Sequence, residues 1–467
     1  MVKFNEISLN ELSNENSLRF DFNYLSYTKS KPRNYYKFNE LFEEVSNEKL
    51  SINEKINYCE IGNVNQNGLC NPVGVDLDNE TYETQDLIKK IRKNDIQKAF
   101  VNNILISKIR PNLKKIVFVD ESLSKVFFTK AFIQLKPKKN PVILYFLLRT
   151  RFLKSIISVS RIGKGYPTLH IDDLNKMYFD KKIVDNFLND SSLINKLKST
   201  LLNIKDSGKE IKKEINIIDD KINKYLDIPV SIIHKENKII NQTITLSEIS
   251  KSNDLRLGYN YNRKSHKSAV SYLLSKNKYH YIADIIDPDC KIRLGQTIVS
   301  QELKEEPTGY YYVTPKSIST SKIIREDCAH ISKEFYEKNK ENYQCNKGDI
   351  ILRRSGESIG KVAICEIEDH LIVSDFSMRL RIKDYNKKFV YYYLRSSFFQ
   401  FLIKSNCKTL DLHNIYPSIV EKLLIPKISN HEQDKICLSI DKEINLNDEI
   451  HKKIDGLIKN VEKILKK

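Results

Sequence analysis

The sequence predicts an α+β chain built twice over, with two mixed, strand-rich segments each followed by a long helix. Three observations carry this. A heptad stripe runs through residues 194–225, a second runs from residue 436 to 464, and short motifs recur at a spacing of 246 residues.

The first stripe is Ile194, Leu197, Leu201, Ile204, Ile211, Ile215, Ile218, Ile222 and Tyr225, with Gly208 in the one slot lacking an apolar side chain. Alternating steps of three and four line one face of a helix, and a helix of that length cannot bury the face against itself. A partner is available in Ile436, Ile440, Ile450, Ile454, Leu457, Val461 and Ile464, interrupted in the middle by Glu443 and Asn447. The expectation is one helix over 186–227 and another over 429–467, pairing as a coiled coil. The plainer alternative is two ordinary bundle helices inside one large domain.

The repeat orders the rest. Leu18-Arg19-Phe20-Asp21-Phe22-Asn23-Tyr24 returns as Leu255-Arg256-Leu257-Gly258-Tyr259-Asn260-Tyr261. Tyr58 and Tyr311 each open an alternating strand followed by a polar turn. Asn103-Ile104-Leu105-Ile106 matches Asp349-Ile350-Ile351-Leu352, Lys115-Ile116-Val117 matches Lys361-Val362-Ala363, and Tyr145–Arg149 matches Tyr391–Arg395, all 246 residues apart. Thr168-Leu169-His170-Ile171 pairs with Thr409-Leu410-Asp411-Leu412. Each copy thus reads as short strands, an amphipathic helix near 141–154 or 387–403, a strand, then the long helix. Segment 228–254 reads as a linker.

The chain carries a formal charge of +18, which calls for an anionic partner. The helical stretches contribute almost none of it: residues 190–227 are net +1 and 431–467 are neutral. The excess lies on the two globular segments, so those meet the polyanion. A composition rich in Lys, Asn and Ile inflates basicity, yet it leaves the neutrality of both helices unexplained. Eight Cys stand scattered without a CxxC pair, which speaks against zinc and for a reducing compartment. No apolar signal core opens the sequence, and the run Val142–Leu148 is too short to span a bilayer. The expected location is cytoplasmic, with no membrane partner.

Catalytic motifs are sparse. No Asn/Asp-Pro-Pro-aromatic motif for gripping a flipped adenine occurs, since Asn71-Pro72 and Asn140-Pro141 are each followed by Val. No glycine-rich cofactor loop or GxxxxGK[ST] phosphate loop occurs either. Asp289, Glu302 and Lys304 formally fit the PD-(D/E)xK pattern of metal-dependent nucleases, although Ser300 and Gln301 break the apolar strand that should carry the Glu and Lys.

Binding residues are better motivated. Lys108, Arg110, Lys114 and Lys115 surround a Pro-Asn turn after an apolar strand, and Arg353, Arg354 and Lys361 surround Ser355 and its neighbours at the equivalent place. Cations flanking a loop at a strand end suit phosphate contact and, for Arg, hydrogen bonds to guanine edges. The alternative for any one residue is a solvated turn charge. Lys164 and Tyr166 beside Gly165, and Lys408 with Thr409, are second-rank candidates. The two copies differ at most such positions, so two unlike readers on one frame imply an asymmetric, bipartite target.

The order of these motifs resembles the specificity subunit of type I restriction-modification systems, over essentially the full length. The residues that carry it are the Leu18-Arg19-Phe20-Asp21 opening and its counterpart, the Asn103 and Asp349 strands, Gly165-Tyr166-Pro167-Thr168-Leu169 before the first helix, and Leu424-Ile425-Pro426 followed by Glu432-Gln433 before the second. The resemblance implies target recognition domains over 1–185 and 228–428, and helices that pair antiparallel. It implies a non-catalytic chain that reads double-stranded DNA and directs adenine methylation and restriction by others. Those partners would be two methyltransferase subunits and, where one exists, a restriction-translocase subunit. S-adenosylmethionine, ATP and Mg²⁺ would belong to them, with no cofactor in this chain. A metal-dependent nuclease, or a coiled-coil adaptor for RNA or protein, are the competing readings.

Overall fold

The computed structural model describes residues 22–45, 55–78, 82–162, 165–228, 243–250, 258–275, 278–318, 321–356, 359–407 and 414–466. It is a mixed helix-and-strand protein that divides into two compact units, residues 1–211 with 448–467 and residues 212–447. No helix among the described residues is long and apolar enough to cross a membrane.

The first unit holds two four-stranded sheets. One runs Phe42–Glu44, Phe132–Pro137, Ile104–Ser107, Ile116–Phe118, and the other Val73–Val75, Ile56–Cys59, Val126–Thr129, Ile96–Lys98. Ile104–Ser107 is a run of buried residues because strands flank it on both edges and packed layers cover both faces. The second unit repeats the plan with Arg293–Leu294, Ser377–Leu380, Ile350–Arg353 and Val362–Ile364 in one sheet. Its other sheet has five strands, with Tyr310–Val313 parallel to His370–Val373 just as Ile56–Cys59 is parallel to Val126–Thr129.

Register makes the duplication explicit. Ile104 faces Phe118 and Leu135, and 246 residues on Ile350 faces Ile364 and Leu380. A one-residue slip would turn every buried side chain outward, so register this well matched reflects one pattern used twice. Behind each sheet lies a helix buried over most of its surface, Pro141–Arg149 and Lys387–Arg395. Asn140 starts the first by accepting the Ile143 N–H at 3.2 Å, and Asn386 starts the second by accepting those of Lys388 and Phe389 at 2.8 and 3.0 Å. Each such cap stabilises its helix by about 1 kcal/mol.

The stripe of residues 194–225 lies on two helices, Ser191–Glu210 and Glu214–Leu226, where one was expected. Asn447 gives the physical reason within the second unit. Its side-chain amide donates to the Lys212 carbonyl at 2.8 Å and accepts the Lys212 N–H at 3.2 Å, so both backbone groups of Lys212, at the break, are satisfied. Glu443 holds the ammonium groups of Lys212, at 2.9 Å, and of Lys221. The polar interruption in one segment is thus the partner of the break in the other.

In the first unit Leu197, Leu201 and Ile204 share a core with Ile450, Ile454, Val461 and Leu465, and Ile194, Ile211 and Leu457 pack at its edge. In the second unit Ile217, Ile218 and Ile222 share a core with Ile436 and Ile440. Ile217 takes the depth expected of Ile215, which is only half-buried, and Tyr225 is exposed. Ile464 is likewise half-buried while its neighbour Leu465 is fully enclosed. The empty slot at Gly208 is filled from outside the helix: a Cβ there would lie 2.9 Å from Leu69 Cδ2. Helix Asn430–Lys466 opens on a capping box, with the Glu432 carboxylate accepting the Ser429 N–H at 2.9 Å and Ser429 Oγ accepting the Glu432 N–H at 3.3 Å.

Leu18 to Asp21 and, in the counterpart, Leu255 to Leu257 lie outside the described residues; inside them Tyr24 is a core residue.

Candidate nucleic-acid interface

In each unit three chain segments meet at the end of the central apolar strand. Beyond Ile104–Ser107, the Lys108 N–H donates to the Ala131 carbonyl at 2.8 Å, and the Lys108 carbonyl accepts the Leu169 N–H at 2.8 Å. Ile109 then bridges to Thr168, and the Arg110 N–H donates to Pro167 at 2.9 Å. Beyond Ile350–Arg353 the Arg354 N–H donates to Phe376 at 3.0 Å, the Arg354 carbonyl accepts from Ile415 at 3.0 Å, and Ser355 bridges to Asn414. Strand exit, intersheet turn and pre-helix segment are therefore tied by the same backbone bonds in both units. This corrects one sequence match. Asn414-Ile415, at the common spacing of 246, stands where Thr168-Leu169 stands, and Thr409-Leu410 does not. The Thr-Leu coincidence drew that segment five residues out of step.

The expected site residues fare differently from one another. Arg110 and Lys114 flank the turn Pro111–Leu113, both with left-handed backbones at φ 50° and 58°. That conformation is costly for residues other than glycine. The Arg110 guanidinium lies 5.4 Å over the exposed Tyr166 ring. Lys114 Nζ lies 3.8 Å from Glu462. Lys115 turns inward and donates to the Ile61 carbonyl at 2.7 Å; burial first, and then the charge of Arg110, pulls its ammonium below the usual lysine value. Lys108 is half-buried, and burial likewise lowers it, with Glu44 opposing and Lys130 adding. Arg110, Lys114 and Tyr166 are therefore the accessible candidates of the first unit.

In the second unit Arg353 Nε donates to the Ser355 carbonyl at 3.2 Å, and Lys361, whose carbonyl accepts the Arg353 N–H at 2.8 Å, is exposed. Arg354 lies 6.0 Å over Tyr416, which is itself exposed, and its Nε is buried without a hydrogen-bond partner. Gly356, at φ +80°, supplies the left-handed turn that returns the chain. Lys164, Lys408 and Thr409 lie outside the described residues.

Two residues that sequence reasoning missed belong here. Tyr416 stands beside Arg354, and Phe376 crowns the intersheet turn. The spacing of 246 would have found Tyr416 as the counterpart of His170. The combination can hold a polyanion through Arg and Lys while presenting flat rings to bases; such mixed basic and aromatic loops suit nucleic acid. For the nuclease motif, Asp289 sits in a turn with its N–H on Asp287, and Lys304 lies on a two-residue edge strand. No group of three His, Cys, Asp or Glu residues able to hold a metal occurs among the described residues.

Residues 289–460 match the family described as the type I restriction modification DNA specificity domain. Solved structures similar over most of their length include one described as the structural basis underlying complex assembly and conformational transition of the type I R-M system, at 12% identity and TM-score 0.37, covering 93% of this chain and 97% of that one. The HsdS subunit from Thermoanaerobacter tengcongensis is similar at 12% identity and TM-score 0.34, covering 93% and 96%. The type I restriction-modification S subunit from M. genitalium is similar at 14% identity and TM-score 0.40, covering 92% and 94%. No curated protein matches.

Proposed function

We propose that this chain, whose residues 289–460 match the type I restriction modification DNA specificity domain, is a DNA-recognition subunit whose two units read the two halves of an asymmetric target. The observation that carries this is the three-segment cluster, built twice on one backbone plan and furnished with different side chains. Two readers with the same frame and unlike contacts specify two unlike half-sites. Arg353, Arg354 and Tyr416 serve one half-site, Arg110 and Tyr166 the other, with Lys108, Lys361 and the basic surroundings contributing phosphate contacts. Lys164, Lys408 and Thr409 remain candidates for the same loops.

The two helical segments pair antiparallel in this proposal. It is supported by the sharing of cores: residues 197–204 share with 450–465 in one unit, and residues 217–222 share with 436–440 in the other, an order that runs oppositely along the two segments. The recognition domains correspond to 1–185 and 228–428. Methylation and, where a restriction subunit exists, cleavage come from partner proteins, two methyltransferase subunits among them, which bring S-adenosylmethionine, ATP and Mg²⁺. The protein works in the cytoplasm.

Modified-base sequencing of the host genome with and without the gene tests this directly. One asymmetric bipartite adenine-methylated motif should vanish with the gene, and an unchanged methylation pattern would sink the proposal. The purified chain alone should turn over nothing with S-adenosylmethionine or with Mg²⁺; DNA cleavage abolished by Glu302→Ala would restore the nuclease.

A further inference from the structure

We infer that Phe376 is a specificity-determining residue of the second unit, its ring making an apolar contact with a base in one half-site. The inference rests on the DNA reading above. Phe376 stands on the turn 374–377, where the chain passes from the strand His370–Val373 of one sheet into Ser377–Leu380 of the other. About half of its surface is open, 52%.

The fold does not ask for an aromatic ring there. At the matching turn of the first unit the residue is Ala131, whose carbonyl takes the same strand-exit bond, from Lys108 at 2.8 Å against Arg354 at 3.0 Å. A large apolar side chain about half left in water, at a position where its twin is alanine, gains only part of what full burial would give, which leaves the open half of the ring available for an interaction with something else.

The turn fixes the backbone that carries the ring before any ligand arrives. The Ser377 N–H closes it on the Ser374 carbonyl at 3.0 Å, and the Ser374 N–H donates to Val313 at 3.1 Å. From the other side Gly295 donates to Ser377 at 3.0 Å, Gln296 donates to Val373 at 2.8 Å, and Thr297 Oγ1 donates to the Asp375 carboxylate at 3.2 Å. Gly295 approaches so closely that a Cβ would come 2.2 Å from the Val373 carbonyl oxygen. A residue on a backbone this constrained loses little main-chain freedom when it binds.

Its surroundings name the ligand face. Arg354, bonded through its backbone to Phe376, and Arg353 before it draw phosphates to the same edge of the unit. Asp375, the immediate neighbour of the ring, repels them. The ring therefore faces bases while the arginines hold the backbone or guanine edges. Base chemistry offers an apolar side chain two such footholds, the thymine methyl group in the major groove and the space between partly unstacked base pairs.

Randomised duplexes selected on the full-length chain, and separately on Phe376→Ala and Phe376→Leu, provide the test. The wild type should enrich a bipartite motif. Phe376→Ala should lose preference at one or two base pairs of one half-site, by roughly tenfold in competition, and leave the other half-site untouched. Phe376→Leu should retain part of it. Replacing the thymines of that half-site by uracil separates the two modes. Weakened binding by the wild type that is absent in Phe376→Ala assigns the methyl group. Indifference to uracil, with brightening of 2-aminopurine placed at the site, assigns the wedge. An identical motif for wild type and Phe376→Ala overturns the inference and leaves the DNA reading standing, as does equal weakening on target and scrambled duplexes. Failure of the wild type to enrich any motif overturns both.

Discussion

The two units share a backbone and differ in what they hang on it. At one register position Gln134 faces Leu105 and at the matching position Arg379 faces Ile351; both are buried, and both donate to the same carbonyl of the frame, Lys98 at 3.1 Å and Gln344 respectively. Before the strand the first unit has Asn103, and the second has Asp349, which takes Arg381 in a bidentate pair at 2.9 and 2.8 Å and the Asn346 N–H at 2.8 Å. After the strand, Ser107-Lys108 is set against Arg353-Arg354, and Ala131 against Phe376. The apolar strands tolerate little change because each residue is enclosed on both faces. The loops tied to their ends are free to vary. With DNA read by the three short segments, as proposed above, a frame held by core packing would separate stability from specificity.

The largest effect should come from the ionic difference between the frames. Asp349 is nearly inaccessible, at 2%, so Asp349→Ala leaves Arg381 without its carboxylate and should cost the second unit about 3–5 kcal/mol. Hydrogen–deuterium exchange should show protection falling over 212–447 and kept over 1–211. An equal fall in both would mean that the units do not hold their stability separately.

A smaller effect distinguishes the readers. Arg353→Ala with Arg354→Ala should cost about 1–3 kcal/mol for each guanidinium that hydrogen-bonds a base edge, on one half-site only, while Arg110→Ala weakens the other. Uniform weakening across target and random DNA would make these residues phosphate ligands that position and do not specify.

Acid should separate the units by the least. Burial pushes the Asp120 carboxyl upward, but hydrogen bonds from Lys205 at 2.6 Å, from Ser122 and from the Leu123 N–H outweigh it and hold it at about 2. A carboxylate held below its ordinary value of 3.8 stabilises the folded unit above that pH, and the contribution is lost as pH falls from there towards 2. A third of the carboxylate is exposed, 33%, and burial lowers Lys205 despite its partner, so about 1 kcal/mol is at stake. Asp120→Asn should flatten the acid limb of the first unit's unfolding curve.

The duplication was legible because the strands and helices carrying it are enclosed, and an enclosed element keeps its apolar pattern: Ile104 and Ile350 and Ile116 and Val362 on strands, and Tyr145 and Tyr391 on helices, recur without a gap. The helix break at 211–213 was not, since Ile211 keeps the step of the stripe and the amide that accepts the break, Asn447, is 235 residues away. Nor could sequence tell that Lys115 turns inward, because its acceptor is the carbonyl of Ile61, a group every residue possesses. Phe376 escaped for a related reason. In the sequence Ser-Asp-Phe-Ser it resembles a strand residue, and only the crossing between sheets puts it outside.

Residues 448–467 complete a unit that residues 1–211 begin, and 236 residues are made in between. On the ribosome, at about 5–20 residues per second, that is a wait of roughly 10–50 seconds. Throughout it Leu197, Leu201 and Ile204 have no Ile450, Ile454, Val461 or Leu465 to lie against. The second unit is contiguous in the chain and can close as soon as it has emerged. The pace of translation through 212–447 therefore sets how long the nascent first unit stays open to chaperones and to aggregation.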